Sequence, residues 1–230
     1  MCERIAIPDQ LTAEREFLPD RAWWKFDARF NVAAPQYVPS IRMHAGQSEA
    51  VMMRWGFIPA WAEGKASRHP ARRVSAGRIE RSNTYRAAWL EGQRCILPFA
   101  GYYEWQLTRA GHRQPWFVRL ADRPVFAVAG IWDRSVREEE DDVIESCAVI
   151  CVPANELLQD IATSGQRMPA ILRRKDYSTW LTGTPTAAQA VLQPYPPQWM
   201  QAHRVSPRIN VADADDPGLI APISVKNADA

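Results

Sequence analysis

The chain has 230 residues, 47% of them hydrophobic, enough for a full core in one large domain or two small ones. No stretch approaches the ~20 consecutive apolar residues of a membrane span, and the opening MCERIAIPDQ contains no apolar signal region, so the sequence reads as soluble and cytoplasmic. The formal charge of +2 argues against a strongly polyanionic or polycationic protein, but it conceals an uneven distribution of cations, nearly all of them Arg.

In chain order, residue patterning predicts a helix over Thr12–Phe17 and strands over Tyr37–Arg42 and Val51–Phe57. A helix is expected at Thr84–Leu90 behind an Asn83 or Ser82 cap. Strands rich in Val, Ile, Tyr, Phe and Trp follow at Arg94–Phe99, Gly101–Leu107, Pro115–Leu120, Pro124–Trp132 and Ile144–Val152. Helices at Asn155–Ile161 and at Asp176–Leu181, the latter opened by an acidic first turn, complete the set. The order does not alternate strand and helix regularly, which disfavours a doubly wound parallel sheet. The expectation is a single α+β domain over residues 1–230, a mostly antiparallel, barrel-like sheet flanked by short helices.

Cys2 is the first candidate for chemistry. If Met1 is removed, its thiol and the freed α-amine form a 1,2-aminothiol, which traps an aldehyde as an imine and then as a five-membered thiazolidine. Both groups are tunable near neutrality, with reference values of about 7.7–8.0 for the amine and about 8.5 for the thiol. A small residue at position two with no chemical role is the alternative. Cys95, Cys147 and Cys151 show no metal or disulfide spacing, and Cys147 and Cys151 share one face of an apolar strand, so all three read as buried small hydrophobes. No metal site and no cofactor are expected.

From Gly64 to Arg86 the chain carries Lys65, Arg68, Arg72, Arg73, Arg78, Arg81 and Arg86 against Glu80 alone. Such a segment suits phosphates, since Arg forks onto phosphate oxygens and stacks on bases; a solvated surface loop is the alternative. The opposite run, Glu138 to Asp142, reads as a solvated hairpin tip. In GYYEWQL, period-two alternation places Tyr103, Trp105 and Leu107 on one face and Tyr102, Glu104 and Gln106 on the other. Glu104 is thereby a candidate general acid or base on a rigid strand, although a lone strand glutamate more often faces solvent. In RWGFIPAW, a Pro turn leaves Trp61 on a loop before the basic segment, where it can stack on a base or pack into the core.

Taken together, Cys2, RFNVAAP (29–35), RWGFIPAW (54–61), GRIE (77–80), RCILPFAGYYEW (94–105), RMPAIL (167–172) and HRVS (203–206) resemble the SOS-response-associated peptidase family of abasic-site-processing, DNA–protein crosslinking proteins. The resemblance runs in order from Cys2 to about Ile223 and implies a β-barrel-like α+β fold. It also implies a monomer that binds single-stranded DNA with abasic sites in the nucleoid and captures the ring-opened aldehyde through Cys2. Carried over by position, Cys2 would be the nucleophile and Glu104 the acid/base that assists Met1 removal and imine chemistry. Arg4, Asn31, Pro35, Trp61, Arg78, Arg86 and Arg167 would contact DNA, with Trp61 wedging against bases at the gap.

Three departures accompany the matches. Glu3 stands where the family has Gly and places an anion beside the reactive amine. Ala76 replaces an Asn that orients the reactive terminus. The family's His before Arg-Met-Pro is absent from the longer segment Ile161 to Pro169, leaving Thr163, Ser164 or Gln166 to substitute. Two other readings stay open: a diverged single-stranded-DNA-binding protein without efficient crosslinking, and an autoproteolytic thiol peptidase.

Overall fold

A computed structural model describes residues 3–65, 71–137, 142–161 and 167–223. It begins with strand β1 (Ile5–Ile7), helix α1 (Gln10–Phe17), β2 (Arg21–Ala22) and β3 (Arg29–Val32). A hairpin of β4 (Tyr37–His44) and β5 (Gln47–Trp55) follows, then β6 (Arg73–Ser75) and α2 (Arg86–Leu90). The central run is β7 (Arg94–Phe99), β8 (Gly101–Leu107), β9 (Arg113–Leu120), β10 (Phe126–Arg137) and β11 (Asp142–Pro153). The chain continues through α3 (Glu156–Ile161), β12 (Arg167–Pro169), β13 (Ile171–Leu172), α4 (Tyr177–Thr182), α5 (Pro185–Ala190) and β14 (Met200–Arg204).

Five strands close a barrel. β5 pairs β4, β4 pairs β7, β7 pairs β10 and β10 pairs β11, all antiparallel, and a short parallel pairing of β11 with β5 (Ser146 with Arg54, Cys147 with Trp55) completes the ring. Closure removes the exposed edges of these strands, and their apolar residues form the main core together with Trp24, Trp89 and Trp180. A second sheet, in the order β14-β9-β8-β1-β3, lies beside it and shares that core through Ile5, Tyr102 and Val118. Its other face carries a smaller cluster of Ala6, Tyr103, Trp105, Phe117, Val205, Ile209 and Leu219. The α+β, barrel-like architecture expected from the sequence is the one observed.

Local chemistry explains where element ends differ from expectation. β4 and β5 extend to a two-residue turn at Ala45 and Gly46, both left-handed at φ 48° and 78°, the geometry a tight hairpin requires. Helix α2 starts at Arg86, and neither Asn83 nor Ser82 caps it with a side chain. Instead the Ser82 carbonyl accepts from the Tyr85 and Arg86 amides, while the Tyr85 ring is drawn against Phe57 at 4.7 Å. Asp176 likewise makes no side-chain cap for α4. Asn155 does cap α3, its Oδ1 accepting from the Leu158 amide at 3.1 Å.

Among the described residues, no helix is long and apolar enough to cross a membrane. Cys95, Cys147 and Cys151 are buried and unbridged, as their apolar surroundings in the sequence indicated. Glu138 to Asp141 of the acidic run lie outside the described residues; the strands on either side pair Arg137 with Asp142.

Candidate functional site: a cationic cleft at the start of the chain

The site is built on β8. Both faces of this strand are covered, so the alternation read from the sequence separates two buried faces rather than a core from solvent. Tyr102 enters the barrel-side core, Tyr103 and Trp105 enter the smaller cluster, and Glu104 is only 1% exposed. A carboxylate so enclosed is not a surface glutamate. Its backbone is fixed on both sides, by pairing with Trp116 on β9 and by β1, whose register sets Ile5 opposite Tyr102 and Ala6 opposite Gly101. The Tyr103 amide donates to the Arg4 carbonyl at 3.1 Å, which continues that pairing toward the chain start.

Gly101 lets β9 pack closely on the start of β8, because a Cβ there would lie 2.1 Å from Cζ of Phe117 and 2.8 Å from the Val118 carbonyl oxygen. Cys2, the expected nucleophile, lies with Met1 outside the described residues.

A cleft of about 600 Å³ opens beside this point, lined by Arg73, Ser75, Gly77, Arg78, Arg81, Cys151 and Arg167. Three separate elements supply its cations. Arg73 stands on β6, which lies parallel to β11; Arg78 and Arg81 come from the 3₁₀ turn Ala76–Arg81; Arg167 opens β12 on the other side of β11. Glu3, the first described residue, reaches this rim and sits 3.8 Å from Arg73. The anion expected to face the reactive amine thus has an Arg beside it. Among the described residues, no carboxylate lies within ion-pair distance of Arg78, Arg81 or Arg167, and the one acid of their turn, Glu80, is turned away to accept from the Trp89 indole at 3.1 Å. Cys151 forms part of the floor, and burial pushes its thiol up to about 12, so it stays protonated at neutral pH.

Arg4 and Asn31 form a pair. Nη1 of Arg4 donates to Oδ1 of Asn31 at 2.6 Å, while the Asn31 amide donates to the carbonyls of Val211 and Ala214 at 3.0 and 2.7 Å. Asn31 is 2% exposed, and its side-chain partners lie within the protein. Pro35, by contrast, is exposed in the turn between β3 and β4.

Trp61 is 66% exposed on a 3₁₀ turn, Ala60–Ala62, which rules out the core packing that its sequence also allowed. Three buried polar side chains of β10 and β11 hold the loop from below. Ser146 Oγ accepts from the Ile58 amide, Asp133 Oδ2 from the Ala60 amide and Ser135 Oγ from the Gly64 amide, each at 2.8 Å. Arg86 is exposed at the start of α2, and neither it nor Trp61 lines the cleft.

The structure therefore gathers Arg78 and Arg167 at one cleft; Glu104 is buried on β8 outside the residues that line it, and Arg4 adjoins Glu3, which reaches its rim. Sequence reading passed over Arg73 and Arg81 as site residues, although both stood in the basic segment it singled out. It had no signal for Asp133, whose role depends on a loop 73 residues away. Ala76, in the position of the expected Asn, is buried, while Ser75 lines the cleft and Gly77 has open space above it. Thr163, Ser164 and Gln166 lie outside the described residues. His203 packs on Phe117, and its Nε2 lies 2.8 Å from the Ile220 carbonyl, away from the cleft.

The family described as SOS response associated peptidase (SRAP) matches residues 1–212. The abasic site processing protein YoqW of Bacillus subtilis is 29% identical over 208 residues, covering 89% of each chain. The abasic site processing protein HMCES of Pongo abelii is 28% identical over 213 residues, 79% of this chain and 59% of that one. A crystal structure of a Bacteroides thetaiotaomicron protein superimposes with a TM-score of 0.85 at 21% identity, over 97% of this chain and all of the other, and shares its fold.

Proposed function

Because the chain belongs to the SOS response associated peptidase (SRAP) family, we propose that it processes abasic sites in DNA, binding the damaged single strand and trapping its aldehyde on Cys2. The observation that carries this reading is one cleft lined by four arginines from three elements, with Glu3, the first described residue, against Arg73 at its rim. Arg78 and Arg167, with Arg73 and Arg81, neutralise phosphates on either side of the lesion. Arg4, braced by Asn31, adds a fifth cation at the start of β1. Trp61 fills the space left by the missing base, where the strand kinks without losing a stacking partner.

The chemistry needs an open N-terminus. Once Met1 is cleaved, the α-amine of Cys2 adds to C1 of the ring-opened sugar, and the carbinolamine loses water to give an imine. The thiolate then attacks the imine carbon, the C=N electron pair moves to nitrogen, and a proton completes the thiazolidine; one water is released overall. Glu104 supplies the proton to the departing hydroxyl and takes one back from the thiol. The same carboxylate, beside the chain start, assists hydrolysis of the Met1 peptide bond.

The test is a single-stranded oligonucleotide with one abasic site, mixed with protein whose Met1 status is known by mass spectrometry. Processed protein gives a heat-stable adduct, and Cys2→Ala gives none. An adduct that persists in Cys2→Ala overturns the thiazolidine; ordinary salt-dependent DNA affinity with no adduct from processed protein reduces the reading to DNA binding alone.

A further inference from the structure

Beyond Glu104, β8 runs on into a second cleft of about 580 Å³ between the β8–β9 hairpin and the end of β14, lined among others by Gln106, Thr108, Arg109, His112 and Arg204. The registers of the second sheet connect it to the first site. Trp116 of β9 pairs with Glu104 on one side and with Arg204 of β14 on the other, so these three side chains form a row on one face of the sheet. Side chains so paired have their Cβ atoms about 4.5–5.5 Å apart. Trp116 is thus the neighbour of the buried carboxylate, and the Arg204 guanidinium lies over its ring at 5.6 Å. The indole is held in place, because its N–H donates to Gln106 Oε1 at 3.2 Å while Gln106 Nε2 donates to the Asp160 carbonyl at 3.3 Å. Among the described residues, no carboxylate is within ion-pair distance of Arg109 or Arg204.

We propose that this cleft is a second nucleic-acid subsite, holding the sugar–phosphate backbone of nucleotides that flank the trapped one on the same strand. The inference rests on the abasic-site reading of the first cleft. Three features support a single strand of DNA as occupant. The cleft's fixed charges are cationic and unpaired. One of them, Arg204, is stacked on the half-buried Trp116 beside the cleft, a planar guanidinium whose other face can accept a base. Gln106, which lines this cleft, stands two residues beyond Glu104, about 7 Å along β8, so nucleotides adjoining one trapped near Glu104 are within reach of it. Arg109 and Arg204 would each neutralise one phosphate, while the outer face of Arg204 stacks on a base.

The experiment compares wild type with Arg109→Ala/Arg204→Ala on two abasic oligonucleotides: one with a single nucleotide on each side of the lesion, the other extended by several nucleotides on both sides. The double variant is expected to bind the long oligonucleotide about tenfold more weakly near 0.15 M salt, and its log-affinity against log-salt slope falls by about 1.4, some 0.7 per lost phosphate contact. Affinity for the short one and final adduct yield stay at wild-type values. Arg204→Lys, which keeps the charge but not the planar stacking group, recovers the slope and only part of the affinity. Equal loss on both oligonucleotides points to a disturbed fold, and an unchanged slope on the long one means that no phosphate sits there; either overturns the proposal. Absence of any adduct from wild type would instead count against the reading of the first cleft.

Discussion

Arg4 and Asn31, 27 residues apart in sequence, meet through a 2.6 Å hydrogen bond from the guanidinium to the amide oxygen. With its own N–H₂ group committed to the Val211 and Ala214 carbonyls, Asn31 cannot rotate away, so Arg4 has a fixed acceptor. Asn31→Ala removes that acceptor and leaves two carbonyls without a donor. It is expected to weaken DNA binding about as much as Arg4→Ala and to destabilise the fold by about 1–3 kcal/mol, whereas Arg4→Ala, which leaves one buried acceptor unpaired instead of two carbonyls, costs less. The double variant should bind no more weakly than Asn31→Ala alone, because both substitutions break one unit. Binding titrations and denaturant melts of the three variants check this.

Asp133 is the anchor of the Trp61 turn. Its Oδ2 accepts from the Ala60 amide and its Oδ1 from the Arg134 amide, both at 2.8 Å. Asp133→Asn keeps the volume but turns an N–H₂ group toward one of these donors, at about 1–3 kcal/mol. Trp61 fluorescence quenching by single-stranded DNA should fall in the variant, while Trp61→Phe retains most of the affinity. Burial raises the Asp133 carboxyl above its ordinary value of 3.8. A raised pKa means that the folded chain holds the proton more tightly than the unfolded one. The stability this confers is complete below pH 3.8 and lost as pH rises through the folded value. The deficit of Asp133→Asn relative to wild type is therefore largest at the acid end and shrinks as pH rises. A deficit that grows over that range would contradict the direction of the shift.

Three of the four cysteines are set apart from any nucleophilic role by their surroundings. Burial drives the thiols of Cys147 and Cys151 up to about 12 and that of Cys95 upward as well. A disulfide reagent at pH 8 should leave all three unmodified in the native protein and reach them only after denaturation. Processed protein with a reactive Cys2 then shows one fast thiol, which disappears in Cys2→Ala and on prior incubation with abasic DNA. Peptide mapping of the label identifies the residue.

How much of this was legible beforehand depends on the range of the interactions. β7 and β8 could be read to the residue because their aliphatic and aromatic runs lie between Gly92, Gly101 and Gly111, which are local signals. β1, β3, β6 and β12 are three or four residues long and owe their strand geometry to partners distant in sequence, as β6 does to β11, so no local pattern announces them. The same distinction separates the site residues. Arg78 and Arg167 were found through short motifs, and Arg73 and Arg81 went unchosen because nothing in a basic run says which side chains turn inward. The enclosure of Glu104 was invisible because alternation tells which residues share a face, and here a barrel covers one face and a second small core the other. Arg94, buried under Trp89 and Trp180 with its Nε on the Trp180 carbonyl, could not be told from a surface arginine for the same reason.

Glu104→Gln separates binding from chemistry. The substitution keeps the shape of a side chain that is 1% exposed, on a strand held by β1 and β9, so fold and DNA affinity should stay close to wild type. What is lost is the ability to give and take a proton beside the chain start, and the loss of a positioned acid/base lowers a rate by about 10²–10⁴-fold. Intact mass divides that loss between two steps. If Glu104 assists removal of Met1, Glu104→Gln retains Met1 and forms no adduct until an aminopeptidase exposes Cys2. Treated protein then crosslinks slowly, because an aminothiol condenses with aldehydes unaided, and its rate relative to processed wild type measures the contribution of the carboxylate to imine and ring formation. A treated variant that crosslinks at the wild-type rate would confine Glu104 to Met1 removal, and one that loses DNA affinity in proportion to rate would make the carboxylate a structural element of the cleft.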